Sequence, residues 1–280
     1  MENKKMIAIL MSTYNGALFV KAQIESIITQ TSDDWTLYIR DDNSSDNTLD
    51  IINKYTAKCS SIVMVNDEKG NLGCAGSFME LLQKVNSQYY MFCDQDDVWL
   101  PEKIEHSLIE LKKKEPLFPG TPLLVYTDTA ICDQDLNLIA NSGWNYAKIT
   151  PTRYHKAKYV PICSVAAGLT SIFNRDSRDI ACQSYGGIAH DLWVAYCVLK
   201  HGRMFALNEP LVYYRQHKKN VEGARKAYRF SLSKLKTLFV LHKENSYWRQ
   251  YIKVKIYHSL GEYLYYLVKV RLLMIADSKK

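Results

Sequence analysis

One stretch of this chain constrains its possible fold more than any other: Tyr89 to Pro101, with the sequence YYMFCDQDDVWLP. Its first five residues are apolar or aromatic and predict a buried strand. The run then stops at Asp94, Asp96 and Asp97. Neighbouring carboxylates repel one another unless a cation lies between them, and their hard oxygens suit Mg²⁺ or Mn²⁺. The pattern predicts a strand that carries acidic residues to the rim of a sheet.

A plainer interpretation of this stretch is an acidic turn that caps the following helix. Pro101 suits the first turn of a helix, and Glu102 follows it. In open α/β sheets, however, ligands bind at the carboxyl ends of the strands, where these carboxylates are predicted to lie. The sequence at this point leaves both a ligand site and a helix cap open.

Strand and helix patterns alternate from residue 6 to residue 115, which predicts a doubly wound, mostly parallel α/β sheet. The apolar runs predicted as strands in this part are Met6–Met11, Trp35–Ile39, Ile62–Val65 and Tyr89–Cys93. Further strands are predicted at Leu123–Tyr126, Val165–Phe173, Arg203–Leu207 and Leu211–Tyr214. Glycines at 70, 73 and 76 come after the third strand rather than the first, which favours a glycine-rich turn before a helix over a dinucleotide site.

Composition places the chain among globular proteins, with 280 residues, 47% hydrophobic and 23% charged. Its seven cysteines form no CxxC pair, so neither a zinc site nor a disulfide framework is indicated. The first apolar run is followed by polar turn residues and is interpreted as a strand, not a signal peptide. The net charge of +7 is uneven, because residues 219–280 hold 14 Lys or Arg against 4 Asp or Glu.

Six motifs, taken in order, carry a resemblance to a known family: MSTYNG, IRDDNSSDNT, NLGCAGSF, CDQDDVWLPEKI, AHDLW and YYRQH. Together they resemble the family 2 inverting glycosyltransferases of GT-A fold, especially the rhamnosyltransferase-like members of bacterial surface polysaccharide synthesis. The similarity covers roughly residues 5–218. It implies a GT-A catalytic domain at 1–218, with a nucleotide-binding half at 1–115 and an acceptor half at 116–218.

The resemblance also implies which residues bind the nucleotide of the donor. Ser12 and Tyr14 would lie beside the nucleobase, and Asp41 would accept its imide N–H, which uracil and thymine both offer. Asp42 and Asn43 follow Asp41 in the same loop at the sheet edge. Asn43 with Ser44 could equally form an Asx turn there and have no part in the site. Asp94 would contact the ribose or a water on the metal, and Gln95 is grouped with these nucleotide-binding residues.

Metal binding or catalysis is implied for three further positions. Asp96 and His217 would hold Mn²⁺ or Mg²⁺, although a histidine at a strand end is also a common surface or capping residue. Asp191 would be the general base, although a carboxylate in the first turn of a helix is also favoured by the helix dipole. Most relatives have Glu where this chain has His190. Two roles stay open for His190: it would either orient Asp191 or contact the donor.

The region after residue 218 is predicted to be a basic, amphipathic helical tail at 219–280. Charge together with Trp and Tyr suits an interfacial helix on an anionic membrane at the cytoplasmic face, and the alternative is a helical pair packed on the catalytic domain. Charged residues interrupt its apolar runs, so a membrane-spanning helix is not expected. The tail carries no recognised nucleic-acid motif.

The resulting hypothesis is a metal-dependent inverting glycosyltransferase. It would move a sugar, with rhamnose as one option, from a UDP- or dTDP-sugar to a saccharide or lipid-linked acceptor. The alternatives are a nucleotidyltransferase, for which MSTYNG lacks the expected basic phosphate loop, and a catalytically silent scaffold at the membrane. The sequence leaves a homo-oligomer, the sugar, the acceptor and the linkage open.

Overall fold

A computed structural model of the chain describes residues 5–218, 220, 224 and 247–278. Within these ranges, nine strands form one mixed, mostly parallel sheet in the order β3-β2-β1-β4-β8-β6-β9-β5, with β7 paired to β6. The strands are β1 Ile7–Thr13, β2 Trp35–Asp41, β3 Ile62–Met64, β4 Tyr89–Cys93, β5 Val98–Trp99, β6 Leu123–Cys132, β7 Leu138–Ala140, β8 Ser171–Asn174 and β9 Arg203–Arg215. The predicted α/β sheet with flanking helices is confirmed.

Helices cover both faces of this sheet. They are α1 Val20–Ile28, α2 Thr48–Thr56, α3 Gly73–Lys84, α4 Lys103–Lys114, α5 Gly143–Ala147, α6 Arg175–Cys182, α7 His190–His201, α8 Tyr247–Lys253 and α9 Leu260–Ser278. Short 3₁₀ helices lie at Glu115–Leu117, Pro151–Tyr154, Ala157–Tyr159 and Gly168–Thr170. In β1, Ala8 and Leu10 enter one apolar core while Ile7, Ile9 and Met11 enter the other, as expected of a strand covered on both sides.

Two of the predicted strand boundaries were wrong. Gly168 does not lie in a strand, because the carbonyl of Ala167 accepts from the N–H of Thr170 at 3.0 Å and closes a 3₁₀ turn before β8. The two short strands predicted between residues 203 and 214 are one strand, β9. Its pairing with β6 shifts in register around Pro210, which has no N–H to donate, and the strand continues beyond this irregularity.

Residues 247–278 pack against the rest of the chain. Tyr257, Tyr263 and Leu267 belong to the same buried core as the helices α3 and α7. Near the end of α9, the buried Asp277 accepts a hydrogen bond from the Tyr154 hydroxyl at 2.9 Å and pairs with Arg153. None of the helices in the described ranges is long and apolar enough to cross a membrane. Most of the predicted tail between residues 219 and 246 lies outside these ranges.

Candidate active site

The loops after β1 and β2 form one interlocked unit at the carboxyl edge of the sheet. The N–H of Asn15 donates to the Ser44 hydroxyl at 2.9 Å, and the Asn15 side chain accepts from the N–H of Ser45 at 2.8 Å. The N–H of Gly16 donates to Oγ1 of Thr48 at 2.9 Å. These bonds hold the two loops in a fixed relative position, together with Tyr14 and the strand ends that carry Ser12 and Asp41.

Asp41, the predicted acceptor for the nucleobase, holds its own loop. One carboxylate oxygen accepts from the hydroxyls of Thr13 at 2.8 Å and Ser44 at 2.6 Å, and the other accepts from the N–H of Ser44 at 2.7 Å. The sequence left an Asx turn at Asn43 open. In the structure the side chain of Asp41, two residues earlier, accepts the hydrogen bonds from Ser44 that close this turn. A carboxylate oxygen has two lone pairs, so the second oxygen retains capacity for one more donor.

Tyr14 and Gln95 lie together across the edge of the sheet. The amide of Gln95 accepts from the N–H of Tyr14 and donates to its carbonyl, both at 3.0 Å. Gly16 makes room for this amide, since a Cβ there would lie 2.1 Å from Oε1 of Gln95. The Tyr14 side chain stays 51% exposed, so its ring remains open to a ligand.

Asp96 and His217 are brought together from the loop after β4 and the end of β9. Nε2 of His217 lies 2.8 Å from Oδ2 of Asp96, and Phe19 stacks on the imidazole with ring centroids 4.5 Å apart. Within the described ranges, no group of three or more His, Cys, Asp or Glu side chains is arranged to hold a metal ion. The pair therefore offers two protein ligands, which suits an ion that takes its remaining ligands from phosphate oxygens and water.

Asp97 has a structural position beneath this pair. It is buried, and one of its oxygens accepts from the N–H of Arg215 at 2.9 Å. Arg215 in turn donates from Nε to the carbonyl of Asp96 at 2.7 Å and lies over the Phe19 ring. Sequence reasoning did not single out Arg215, and its position two residues before His217 is the only signal that could have found it.

Asp94 links the acidic loop to the predicted base. Burial, and then the negative charges of Asp96 and Asp191, raise the pKa of Asp94 to about 8. Desolvation at the cleft, and then the charges of Asp94 and Asp191, likewise raise the pKa of Cys74, an exposed residue in the first turn of α3. The carboxylates of the loop between β4 and β5 and of α7 thus act on one common region of space.

Asp191 lies in the first turn of α7, as predicted. Its Oδ2 accepts from the N–H of Gly168 at 3.2 Å, and its Oδ1 accepts from the N–H of Leu192 at 2.7 Å. A Cβ on Gly168 would lie 3.3 Å from Cβ of Asp191 and 3.1 Å from Nε2 of His190. Glycine at 168 therefore lets this loop approach both residues closely.

His190 lies behind Asp191 in an aromatic slot. Its ring stacks on Phe78 with centroids 4.0 Å apart and meets the edge of Phe92 at 4.7 Å. The residue is only 7% exposed, and burial lowers its pKa. This placement favours a role in supporting Asp191 over a direct contact with a ligand in the open cleft.

Asp128, which follows the strand predicted at Leu123–Tyr126, is buried inside the longer strand β6. It accepts from the N–H groups of Thr129 at 2.7 Å and Trp144 at 3.1 Å, and from the hydroxyl of Ser142. These bonds fix the start of α5 within the aromatic segment 141–160. A carboxylate inside a long apolar strand is the signal that identifies such an anchor.

Comparison with known proteins gives one family. A sequence model described as glycosyl transferase family 2 matches residues 8–177. The chain is 37% identical over 102 residues to the Shigella flexneri protein named dTDP-rhamnosyl transferase RfbG, covering 35% of each chain. It is 30% identical over 113 residues, 40% of this chain and 44% of the other, to Escherichia coli UDP-Glc:alpha-D-GlcNAc-diphosphoundecaprenol beta-1,3-glucosyltransferase WfgD. The chain thus spans less than half the length of these relatives.

Solved structures share the fold. Residues 1–349 of S. aureus TarS in complex with UDP-GlcNAc match with a TM-score of 0.56 at 15% identity, covering 80% of this chain and 61% of that one. The mannosyltransferase PcManGT from Pyrobaculum calidifontis, in complex with GDP-Man and Mn²⁺, matches with a TM-score of 0.53 at 14% identity, covering 78% and 59%. These similarities confirm the predicted GT-A fold.

Proposed function

The chain belongs to glycosyl transferase family 2, and we propose that it transfers a sugar from a nucleoside diphosphate sugar to a saccharide or lipid-linked saccharide of a surface polysaccharide. The observation that carries the proposal is the meeting of Asp96 with His217 at the sheet edge, close to Asp94 and Asp191. In this proposal residues 1–115 bind the donor and residues 116–218 bind the acceptor.

The nucleoside end of the donor lies at the loops after β1 and β2. Tyr14 offers an exposed ring for stacking on the base, and Asp41 offers its remaining lone pair to an imide N–H. Uracil and thymine satisfy both contacts. The 37% identity to a dTDP-rhamnosyl transferase over 102 residues favours a dTDP donor carrying rhamnose.

The diphosphate end of the donor lies at Asp96 and His217. Both side chains fit Mn²⁺ or Mg²⁺, because a carboxylate oxygen and an imidazole nitrogen already lie within 2.8 Å of each other. When bound, such an ion supplies positive charge to the diphosphate that leaves. Arg215 and Asp97 hold the backbone of the acidic loop in position for that contact.

Asp191 removes the proton from the acceptor hydroxyl. Hydrogen bonds from the N–H groups of Gly168 and Leu192 fix its carboxylate in one orientation. The hydroxyl oxygen then attacks the anomeric carbon on the face opposite the departing diphosphate, so the configuration inverts. His190 packs next to Asp191 on the side away from the cleft. Burial lowers its pKa and so favours the uncharged ring, which, unlike the Glu of most relatives, adds no negative charge beside Asp191.

A lipid-linked acceptor requires that the enzyme reach a membrane surface. The outer face of α9 suits such a contact. Tyr265, Val268 and Leu272 recur at helical spacing on its outer face, and each is at least half exposed. Both acidic residues of α9 form salt bridges with the catalytic domain: Glu262 with Lys158 at 3.0 Å, and Asp277 with Arg153. The outward face is therefore apolar beside the exposed Lys269, which suits an anionic lipid surface.

Calorimetric titration tests the proposal. UDP, dTDP and GDP are each added, with and without Mn²⁺, to the wild type and to Asp96→Ala. Metal-dependent binding of UDP or dTDP that Asp96→Ala abolishes is the expected result. No nucleotide binding by the wild type under any condition would overturn the proposal and favour a catalytically silent scaffold.

A further inference from the structure

Arg40, in β2, is a buried cation that uses every N–H it has. The residue is only 2% exposed. Its Nε and one terminal nitrogen donate to the two oxygens of Asp67 at 2.9 and 3.0 Å. The same terminal nitrogen donates to the carbonyl of Gly70 at 2.7 Å, and the other donates to Asp42 at 2.5 Å and to Ser77 at 3.1 Å. A guanidinium has five N–H donors, so none is left over.

These acceptors come from three separate parts of the chain. Asp42 follows β2, Asp67 and Gly70 lie in the loop after β3, and Ser77 lies in α3. Hydrogen bonds from Arg40 also hold the pKa of Asp67 well below its ordinary value, so that carboxylate stays ionised. Arg40 is therefore the common partner of the elements that surround the end of β2.

The same contacts reach the residues proposed to bind the nucleoside. Ser77 accepts from the Ser12 hydroxyl at 2.7 Å, which connects Ser12 to Arg40 through one oxygen. Asp42 accepts from the N–H of Leu72 at 2.7 Å, and its carbonyl accepts from the Asn71 amide at 2.9 Å. The loop from Gly70 to Leu72 is thereby fixed against the strand end that carries Asp41.

An outer ring of charges compensates the burial of this network. Lys69 pairs with Glu80 at 2.6 Å, and Lys84 pairs with Glu80 at 3.3 Å and with Asp67 at 3.4 Å. Three cations thus face three carboxylates, so no buried charge lacks an opposite charge. Such complete pairing is what allows an ion network to persist below the surface.

We propose that Arg40 is a positioning residue for the nucleoside end of the donor, an inference that rests on the proposed function. Its guanidinium holds Ser12 and the loop from Gly70 to Leu72 in place before the donor arrives. The nucleoside then binds to a preformed edge, and no binding energy is spent on ordering that edge. Arg40 does not touch the reacting atoms, so its loss affects donor affinity and leaves the chemical step intact.

The test is Arg40→Lys, which keeps the charge but has three donors in place of a planar set of five. The probes are UMP and dTMP for the nucleoside end and inorganic pyrophosphate with Mn²⁺ for the metal end. We expect the affinity for the better monophosphate to fall by about 10-fold or more, while pyrophosphate binding is unchanged. The KM of the donor should rise with kcat retained.

Arg178→Lys is the matched control. Arg178 also ties a helix to neighbouring carbonyls, those of Leu82 at 3.0 Å and Gln83 at 2.6 Å, but it has no contact with the loops of the cleft in the described ranges. This control should lower stability without changing the affinity for either probe. Hydrogen exchange of the ligand-free protein gives a second readout, because Arg40→Lys alone should speed exchange of the Leu72 amide.

Three outcomes would overturn the inference. Unchanged monophosphate affinity in Arg40→Lys refutes it while leaving the proposed function intact. An equal loss of monophosphate and pyrophosphate affinity shows a general structural role instead. A wild type that binds pyrophosphate with Mn²⁺ but no nucleoside monophosphate or diphosphate overturns both the inference and the proposed function.

Discussion

Nε2 of His217 lies 2.8 Å from Oδ2 of Asp96, although 121 residues separate the two along the chain. The contact joins the acidic loop after β4 to the segment that follows β9, a strand paired with β5. Stacking of Phe19 on the imidazole keeps the ring aimed at the carboxylate. A hydrogen bond of this kind places the two predicted ligand atoms at a separation from which one metal ion could bind both.

His217→Ala is expected to weaken the metal dependence of nucleotide binding. Removing even an outer-shell partner of a metal site costs about 10- to 100-fold in affinity, and a direct ligand should cost at least as much. The measurement is the Mn²⁺ concentration that gives half-maximal dTDP or UDP binding. The matched control is His106→Ala, because His106 also pairs with a carboxylate, that of Glu209 at 2.6 Å, on the surface. Equal metal dependence in all three proteins would contradict a ligand role.

Asp191→Asn should lower kcat by about 100- to 10,000-fold while nucleotide binding is retained, because an amide cannot accept the proton of the acceptor hydroxyl. Asp176→Asn is the control, since Asp176 is an exposed carboxylate in the first turn of α6. If Asp191 served only the helix dipole, the two variants would lose similar stability and similar turnover. Donor turnover and thermal unfolding of both variants distinguish these cases.

The parallel arrangement of the first strands and the location of the site follow from local sequence patterns. The buried runs in β1, β2 and β4 end at polar residues, and parallel strands bring those ends to one edge. This is why Ser12, Asp41 and Asp96 could be predicted to lie near one another. The end of β9 reaches the same edge because β9 pairs with β5. His217, which follows β9 in the YYRQH motif, therefore lies beside Asp96.

The roles of the supporting residues could not be predicted in the same way. Arg40, Gly168 and Arg215 act through contacts with residues far away in the sequence, and no local periodicity encodes such contacts. The apolar run that includes Gly168 was predicted as a strand because a 3₁₀ turn has no distinctive hydrophobic pattern. These positions become interpretable only when the backbone around them is known.

Gly168→Ala is expected to reduce kcat with little change in donor KM. The added methyl group would lie 3.3 Å from Cβ of Asp191 and 3.1 Å from Nε2 of His190, so one of these must shift by a few tenths of an ångström. Displacing a catalytic group by about 1 Å can cost about 100-fold, so a smaller loss is expected here. Steady-state kinetics at varied donor concentration give the two constants. Gly261→Ala, where the nearest atom would lie 3.7 Å away, should leave kcat unchanged.

Alkylation of Cys74 reports the electrostatics of the cleft. Cys74 is exposed, yet desolvation of its sulfur at the cleft and then the nearby carboxylates raise its pKa above the ordinary 9.0, so less of the thiol is ionised than in a free cysteine. Iodoacetamide should therefore react several-fold more slowly than with a peptide thiol, even after allowing for the greater nucleophilicity of a more basic thiolate. The rate should rise as pH increases. Above about pH 8, where Asp94 is ionised, Asp94→Asn should accelerate it further by removing one negative charge.

Mass spectrometry of the peptide that contains Cys74 measures this rate, with Cys74→Ser as the blank. Mn²⁺ should also accelerate the reaction, because a cation near Asp96 lowers the pKa of the thiol. A rate equal to that of the free peptide, insensitive to Asp94→Asn, would show that the carboxylates do not act on Cys74 as the structure indicates.

The outer face of α9 is expected to bind vesicles that contain anionic lipid. Tyr265, Val268 and Leu272 supply apolar area, and Lys269 beside them is attracted to negative headgroups. Cosedimentation with phosphatidylglycerol vesicles should therefore exceed that with phosphatidylcholine vesicles, and the excess should fall as salt is raised. Replacing all three apolar residues with Ser should reduce binding to both kinds of vesicle, whereas Lys269→Glu should mainly remove the preference for anionic lipid.

Leu138→Ser with Ile139→Ser is the matched control for the apolar replacement. Both side chains in β7 are more than half exposed, but they lie beside the acidic turn of Asp133 and Asp135. An anionic surface repels that turn, so the control should bind vesicles as the wild type does. Vesicle binding that survives both α9 variants would assign the membrane contact to another part of the chain, and no binding by the wild type would leave α9 as a helix that only packs on the catalytic domain.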